Sequence, residues 1–192
     1  MTQMPSHRRF SQISLTQAVF RTQPAFILNL LLTFTMSKII LETSIKSTPE
    51  ICYKLSLSVD LHQLSTSKTG EHIVDGIRKG LMKLNDTVTW RAKHFGVWQN
   101  LSTKITETKP YEYFVDEMQK GAFKSMRHEH HFIENEGITV MKDVFNFTSP
   151  MGIIGIIFNK LILENYMKRF LIERNQLIKD VAESENWEKY MN

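Results

Sequence analysis

The sequence predicts an α+β fold: one curved antiparallel sheet of about seven strands wrapped around a long C-terminal helix. Three observations carry that prediction. Residues 71–147 keep a two-residue alternation of apolar and polar side chains, cut at short intervals by turn signals. After Ser149-Pro150 the period changes to that of a helix. Before residue 71, a strand is followed by a well-capped short helix.

Ile39, Leu41, Thr43 and Ile45 alternate with Ile40, Glu42, Ser44 and Lys46, the pattern of a half-buried strand. Thr48-Pro49-Glu50 supplies an N-cap, a proline at the first helical position and an acid in the first turn. A helix is therefore expected over 49–58, with Ile51, Leu55 and Val59 on one side. The polar stretch 60–70 fits a second helical turn or a loop. Strands are expected over 71–83, 87–96, 98–108, 111–119, 123–134 and 137–148, and the short gaps between them imply hairpins. Gly76 and Gly80 suggest a bulge or sharp bend in the first of these. Met151–Phe158 is an apolar lead-in containing Gly152 and Gly155. A long helix is expected over 156–184, with Leu163, Met167, Phe170, Arg174, Leu177 and Val181 on its buried stripe.

The chain has 192 residues and a formal net charge of +4. Residues 1–35 hold Arg8, Arg9 and Arg21 and no acid, whereas the rest holds 21 basic and 20 acidic residues. A near-neutral body argues against a nucleic-acid partner. One cysteine, Cys52, cannot form an internal disulfide, which fits a reducing, cytoplasmic setting. Residues 1–35 are expected to be an N-terminal extension, with Met36 as the natural start. Their apolar run, Phe26–Phe34, is too short to span a bilayer and lacks a small-residue cleavage site. If that segment is present, 13–34 is the one stretch suited to membrane contact. The domain proper is expected over 36–184, with 185–192 as a tail.

Chemistry concentrates at Arg127-His128-Glu129-His130-His131. As a strand, it puts Met126, His128, His130 and Phe132 on one face and Arg127, Glu129 and His131 on the other. With the apolar face inward, Trp90 and His94, Phe114, Asp116 and Met118, and Met141, Asp143 and Phe145 also point in. Asp116, His128, His130 and Asp143 would then converge across three adjacent strands. Buried carboxylates and imidazoles must satisfy one another. A carboxylate beside a histidine is also how a general base is prepared. Outside, Arg127, Glu129 and Lys142 would form a solvated charge ladder. Arg174 interrupts the helical stripe and either snorkels to solvent or pairs with Asp116 or Asp143.

Four strings sharpen a resemblance: DTVTWRAKHFGVWQ (86–99), FVDEMQKGAF (114–123), RHEHHF (127–132) and DVFNFTSPMGIIG (143–155). With the element order, they resemble the helix-grip superfamily of START, pollen-allergen and polyketide-cyclase proteins, known as SRPBCC. Within it they look like the cell-division-inhibitor-like or cyclase/dehydrase-like subgroup. No residue here supports a role in cell division. The resemblance covers about residues 36–183 and implies a cavity for an apolar small molecule: a lipid, isoprenoid or polyketide. The residues expected to meet it are Trp90, His94, Asp116, Met118, His128, His130, Asp143, Phe145, Phe170 and Arg174. If the protein is instead a cyclase/dehydrase-type enzyme, His128 or His130 is the expected base and Asp116 or Asp143 orients it. No cofactor is expected. A metal at the four converging ligands is set aside, because the resemblance brings none and no further ligand motif accompanies them.

Overall fold

The computed structural model describes residues 36–67, 70–149 and 162–191. The chain begins with β1 (Met36–Ile45), α1 (Pro49–Leu57), α2 (Val59–Ser65) and β2 (His72–Gly76). It continues through β3 (Thr87–His94), β4 (Val97–Lys109), β5 (Tyr113–Lys120), β6 (Ser125–Asn135) and β7 (Ile138–Thr148). It ends with α3 (Glu164–Ala182) and a 3₁₀ turn, Trp187–Tyr190. All seven strands form one antiparallel sheet in the order β1-β7-β6-β5-β4-β3-β2. Each strand from β2 to β7 pairs with the next, so the register follows from local hairpins. Only β1 returns across the sequence, to lie beside β7.

Local chemistry explains the helical starts. Thr48 accepts a hydrogen bond from the Ile51 amide, and Pro49 opens α1. Ser58 ends α1 and caps α2 by accepting from the Leu61 amide, so one residue serves both helices. Alternation along the strands places Val88, Trp90, Ala92, Phe114, Met126, Phe132, Met141, Phe145 and Phe147 on the buried face. α3 lays Leu171, Ile178 and Ala182 against that face. Burying each of the larger side chains contributes about 1.5–3 kcal/mol.

Several expectations shift. The strand foreseen over 71–83 ends at Gly76, and only Leu81 rejoins strand geometry, bridging to Ser58. Gly76 has φ +85°, and a Cβ there would lie 2.2 Å from the Thr87 carbonyl oxygen, so the close approach demands glycine. The bulge falls between Ile73 and Asp75, just before that glycine. Of the two forms allowed for the stretch after α1, residues 59–65 take the helical one. The buried stripe of α3 runs through Leu171, Arg174, Asn175, Ile178 and Ala182, rotated from the expected line through Phe170, Leu177 and Val181. Trp187, Tyr190 and Met191, in and just after the 3₁₀ turn, pack against the core. The extension 1–35, including 13–34, and the lead-in 151–158 lie outside the described residues. Among the described residues, no helix is long and apolar enough to cross a membrane.

On the outer face, Arg127 holds Glu107, Glu117 and Glu129 at 2.9, 2.6 and 3.2 Å, and His131 lies 3.3 Å from Glu129. Lys142 does not join this ladder. It pairs with Glu42 on β1 at 3.0 Å. These contacts are solvated and individually small.

Candidate functional site

Between the sheet and α3 lies a cavity of about 480 Å³. Its walls are largely apolar: Trp90, Met126, Phe145, Met167, Phe170 and Leu171 all contribute. Phe95 and Val97, at the tip of the β3–β4 hairpin, line it while 50% and 60% exposed, so the cavity opens at that end. Of the two polar residues on the buried α3 stripe, Arg174 lines the cavity, whereas Asn175 is turned to Asp143 and Thr43.

One wall holds the polar cluster. Strand register sets Asp116 opposite His128 and His130 opposite Asp143. The closest contact is diagonal: His128 Nε2 lies 2.8 Å from Asp143 Oδ1. His130 reaches Asp116 with Nε2 at 3.3 Å, while its Nδ1 sits 3.0 Å from Asp143 Oδ1, out of line for a hydrogen bond. His128 Nδ1 is 3.7 Å from Asp116 Oδ1. The imidazoles are therefore sandwiched between two carboxylates, their ring centroids 3.8 Å apart. Phe114 stacks on His130, and Phe145 meets His128 edge-on. Asp143 is fully buried, and its second oxygen accepts from Asn175 Nδ2 at 2.6 Å. Arg174 is buried as well, donating to the Ser56 carbonyl at 3.2 Å and standing 3.7 Å from Asp143. The snorkelling alternative is thereby excluded.

Burial and the neighbouring His130 push His128 down to about 4, against the pull of Asp143, so it is neutral at neutral pH. Burial works to raise Asp143, but the hydrogen bond with His128 and the close approach of His130 outweigh it and hold the carboxyl well below its ordinary range. Asp116 is lowered in the same way, with His130 its main counterweight to burial. Its side chain is 23% exposed toward the cavity, the most accessible of the four.

Of the ten residues expected to meet a ligand, Trp90, His94, Asp116, His128, His130, Phe145, Phe170 and Arg174 line the cavity. Two do not. Met118 packs into the second core cluster instead, beside Met126 and Phe147. Asp143 lies behind the imidazoles, where it can orient them but cannot touch a ligand.

Sequence reading missed three features. Asn175 completes the coordination of Asp143 and also reaches Thr43 Oγ1 at 3.4 Å. Glu71 lines the cavity and takes His62 Nε2 at 3.0 Å, with His62 stacked on Trp90. Tyr166 forms a 2.7 Å hydrogen bond with His94, tying the β3–β4 hairpin to α3 at the open end. Tyr166→Phe removes that tie from a partly exposed position. Stability is expected to fall by about 1 kcal/mol or less, while exchange of a cavity-bound fluorophore in stopped flow becomes several-fold faster. An unchanged exchange rate would show that the strap does not gate the opening.

No family model matches the chain, and no curated protein does. Solved structures do. Major latex-like protein 151 from Panax ginseng superimposes with a TM-score of 0.58 at 15% identity, covering 77% of this chain and 98% of that one. The Zhui aromatase/cyclase from Streptomyces sp. R1128 gives 0.62 at 12% identity, over 77% and 94%. The di-domain ARO/CYC StfQ of the steffimycin biosynthetic pathway gives 0.66 at 10% identity, over 83% of this chain and 55% of that one. At such identities the likeness establishes the fold.

Proposed function

We propose that this helix-grip protein binds an apolar small molecule, of lipid, isoprenoid or polyketide type, between its sheet and α3. The observation that carries the reading is the cavity, whose 480 Å³ sits within the range of about 300–1,000 Å³ found for small-molecule sites. An apolar body would lie against Trp90, Phe145 and Phe170, with an oxygen-bearing group directed at Asp116, His128 and Arg174. Proteins of the same fold include a latex-like protein and aromatase/cyclases, which supports a cavity-centred role. Cys52 is buried and free, with its thiol raised to about 11 by burial, in keeping with a cytoplasmic setting.

Native mass spectrometry of the full chain, followed by solvent extraction, tests this. The expected result is one apolar compound per chain, displaced by the dye 1-anilinonaphthalene-8-sulfonate. If no compound co-purifies and the dye neither binds nor shifts the melting temperature, the reading is wrong.

A second reading is a cyclase/dehydrase-type enzyme. It is favoured by the 2.8 Å Asp143–His128 bond, which fixes an imidazole on the cavity wall. His128 would remove the proton next to a carbonyl and, as imidazolium, return it to the β-hydroxyl, which leaves as water as the C=C bond forms, with Asp143 orienting the ring and Asp116 facing the substrate. The same extraction separates the two: a carrier returns its ligand unchanged, whereas a dehydrase returns it lighter by one water. His128→Gln should abolish that mass change.

A further inference from the structure

We propose that Asp116, His128 and His130 form a site for a divalent cation of the zinc class, with Asp143 standing behind both imidazoles. The first ground is the arrangement of the imidazole nitrogens. Each ring faces a carboxylate with both nitrogens: His128 at 2.8 and 3.7 Å, His130 at 3.0 and 3.3 Å. Two of these contacts are hydrogen bonds, His128 Nε2 to Asp143 and His130 Nε2 to Asp116, and two neutral imidazoles carry the two protons they need. His128 Nδ1 then presents its lone pair toward the Asp116 carboxylate, and His130 Nδ1 is buried with no hydrogen-bond partner. Moving the His130 proton to Nδ1 turns the Nε2 lone pair to Asp116 as well, and three donors then face one another. Arg174 adds its charge at longer range: its guanidinium donates to the Ser56 carbonyl and stands 3.7 Å from Asp143.

Spacing is the second ground. One donor atom from each of Asp116, His128 and His130 lies within 4.8 Å of the others. The Asp116 oxygen is 3.3 and 3.7 Å from the two nitrogens that face it. A tetrahedral ion with bonds of about 2.0 Å places its ligands about 3.3 Å apart. Few side-chain movements are therefore needed.

The third ground is the supporting shell. A metal-bound histidine commonly donates its other N–H to a carboxylate, which fixes its tautomer. Asp143 meets His128 in that way at 2.8 Å, stands 3.0 Å from His130 Nδ1, and is itself fixed by Asn175 at 2.6 Å. Asp116 lies on the cavity side, so the fourth position of the ion would face the cavity. Two imidazoles, one carboxylate and one open position are the donor set of catalytic zinc sites. A ligand oxygen would complete it.

The test uses the full chain stripped with EDTA and titrated with CoCl2, then ZnCl2. The expected result is one equivalent of cobalt with the intense visible absorption of a four-coordinate ion, displaced by zinc at micromolar affinity or better. Asp116→Asn, at the partly exposed member, should weaken binding by about tenfold or more with the circular dichroism spectrum intact. His128→Gln should do the same, and His131→Gln on the outer face should change nothing. Absence of a stoichiometric site overturns the proposal. So does binding that survives Asp116→Asn, which marks an ion held by other histidines. A melting temperature that responds to pH but not to zinc overturns it too. Dye binding by the metal-free protein is scored separately, so the cavity reading and the cation site fail independently.

Discussion

Asp143→Ala is expected to cost about 3–5 kcal/mol, the loss that follows when one partner of a buried charge pair is removed. For a domain of this size that is a fall of roughly 10 °C in melting temperature. Asp143 ties three elements together inside the core: it stands on β7 and meets His128 and His130 on β6 and Arg174 and Asn175 on α3. Through Asn175 the connection extends to Thr43 on β1. Truncation leaves the Arg174 guanidinium buried without its carboxylate and strips the His128 imidazole of its acceptor. Asp116→Asn provides the contrast, since its side chain is partly exposed and keeps its shape; about 1 kcal/mol or less should be lost. Replacing both charges, with Asp143→Leu and Arg174→Met together, should recover much of the loss, because two buried charges cost more to desolvate than two apolar groups. Denaturant midpoints of the three variants check the argument. A loss below about 1 kcal/mol for Asp143→Ala would show that the cluster is not a stability element.

The inner face of the site was legible in the sequence because strand alternation has a period of two and errors in it are all-or-none. Met126, His128, His130 and Phe132 either all point in or all point out, and two flanking apolar residues decide which. What alternation cannot supply is register. The four residues between β5 and β6 leave the pairing free to slide, so only the structure sets Asp116 opposite His128. The helical stripe was ambiguous for another reason. On α3, the lines through 170–174–177–181 and 171–175–178–182 are adjacent and both have mixed spacings of three and four. Each carries three apolar residues and one polar one, so composition does not choose; the second line is buried, together with Arg174 from the first, and Asn175 went unseen with it. Tyr166 and His94 are 72 residues apart, and no local pattern announces their hydrogen bond. The cavity is least legible of all, because it depends on how far α3 stands from the sheet.

Acidification of the metal-free protein should reduce stability progressively from about pH 6.5 to 4, by roughly 3 kcal/mol in total from His128 alone. His128 has an ordinary value of 6.5 and is pushed down to about 4 in the fold. Between those values the unfolded chain binds a proton and the native site does not. Stability therefore rises with pH across this window, is complete above about 6.5, and is lost as pH falls toward 4. Asp143 and Asp116 act with the same sign but lower on the scale. Their folded values lie below the ordinary 3.8, so their contribution is present above that point and disappears beneath it. His94, lowered by burial, adds in the upper window. All the groups facing His128, namely His130, Asp116, Asp143 and Arg174, are held by the same packing, so the two limbs should merge into one slope. His128→Gln separates them: the limb from 6.5 to 4 should flatten to what His94 supplies, while the limb below 4 remains. Melting temperature measured in EDTA across pH 3–8 gives the curve. A flat profile in the wild type between 6.5 and 4.5 would mean that His128 takes up its proton without penalty, and the buried, neutral imidazole described above would then be wrong.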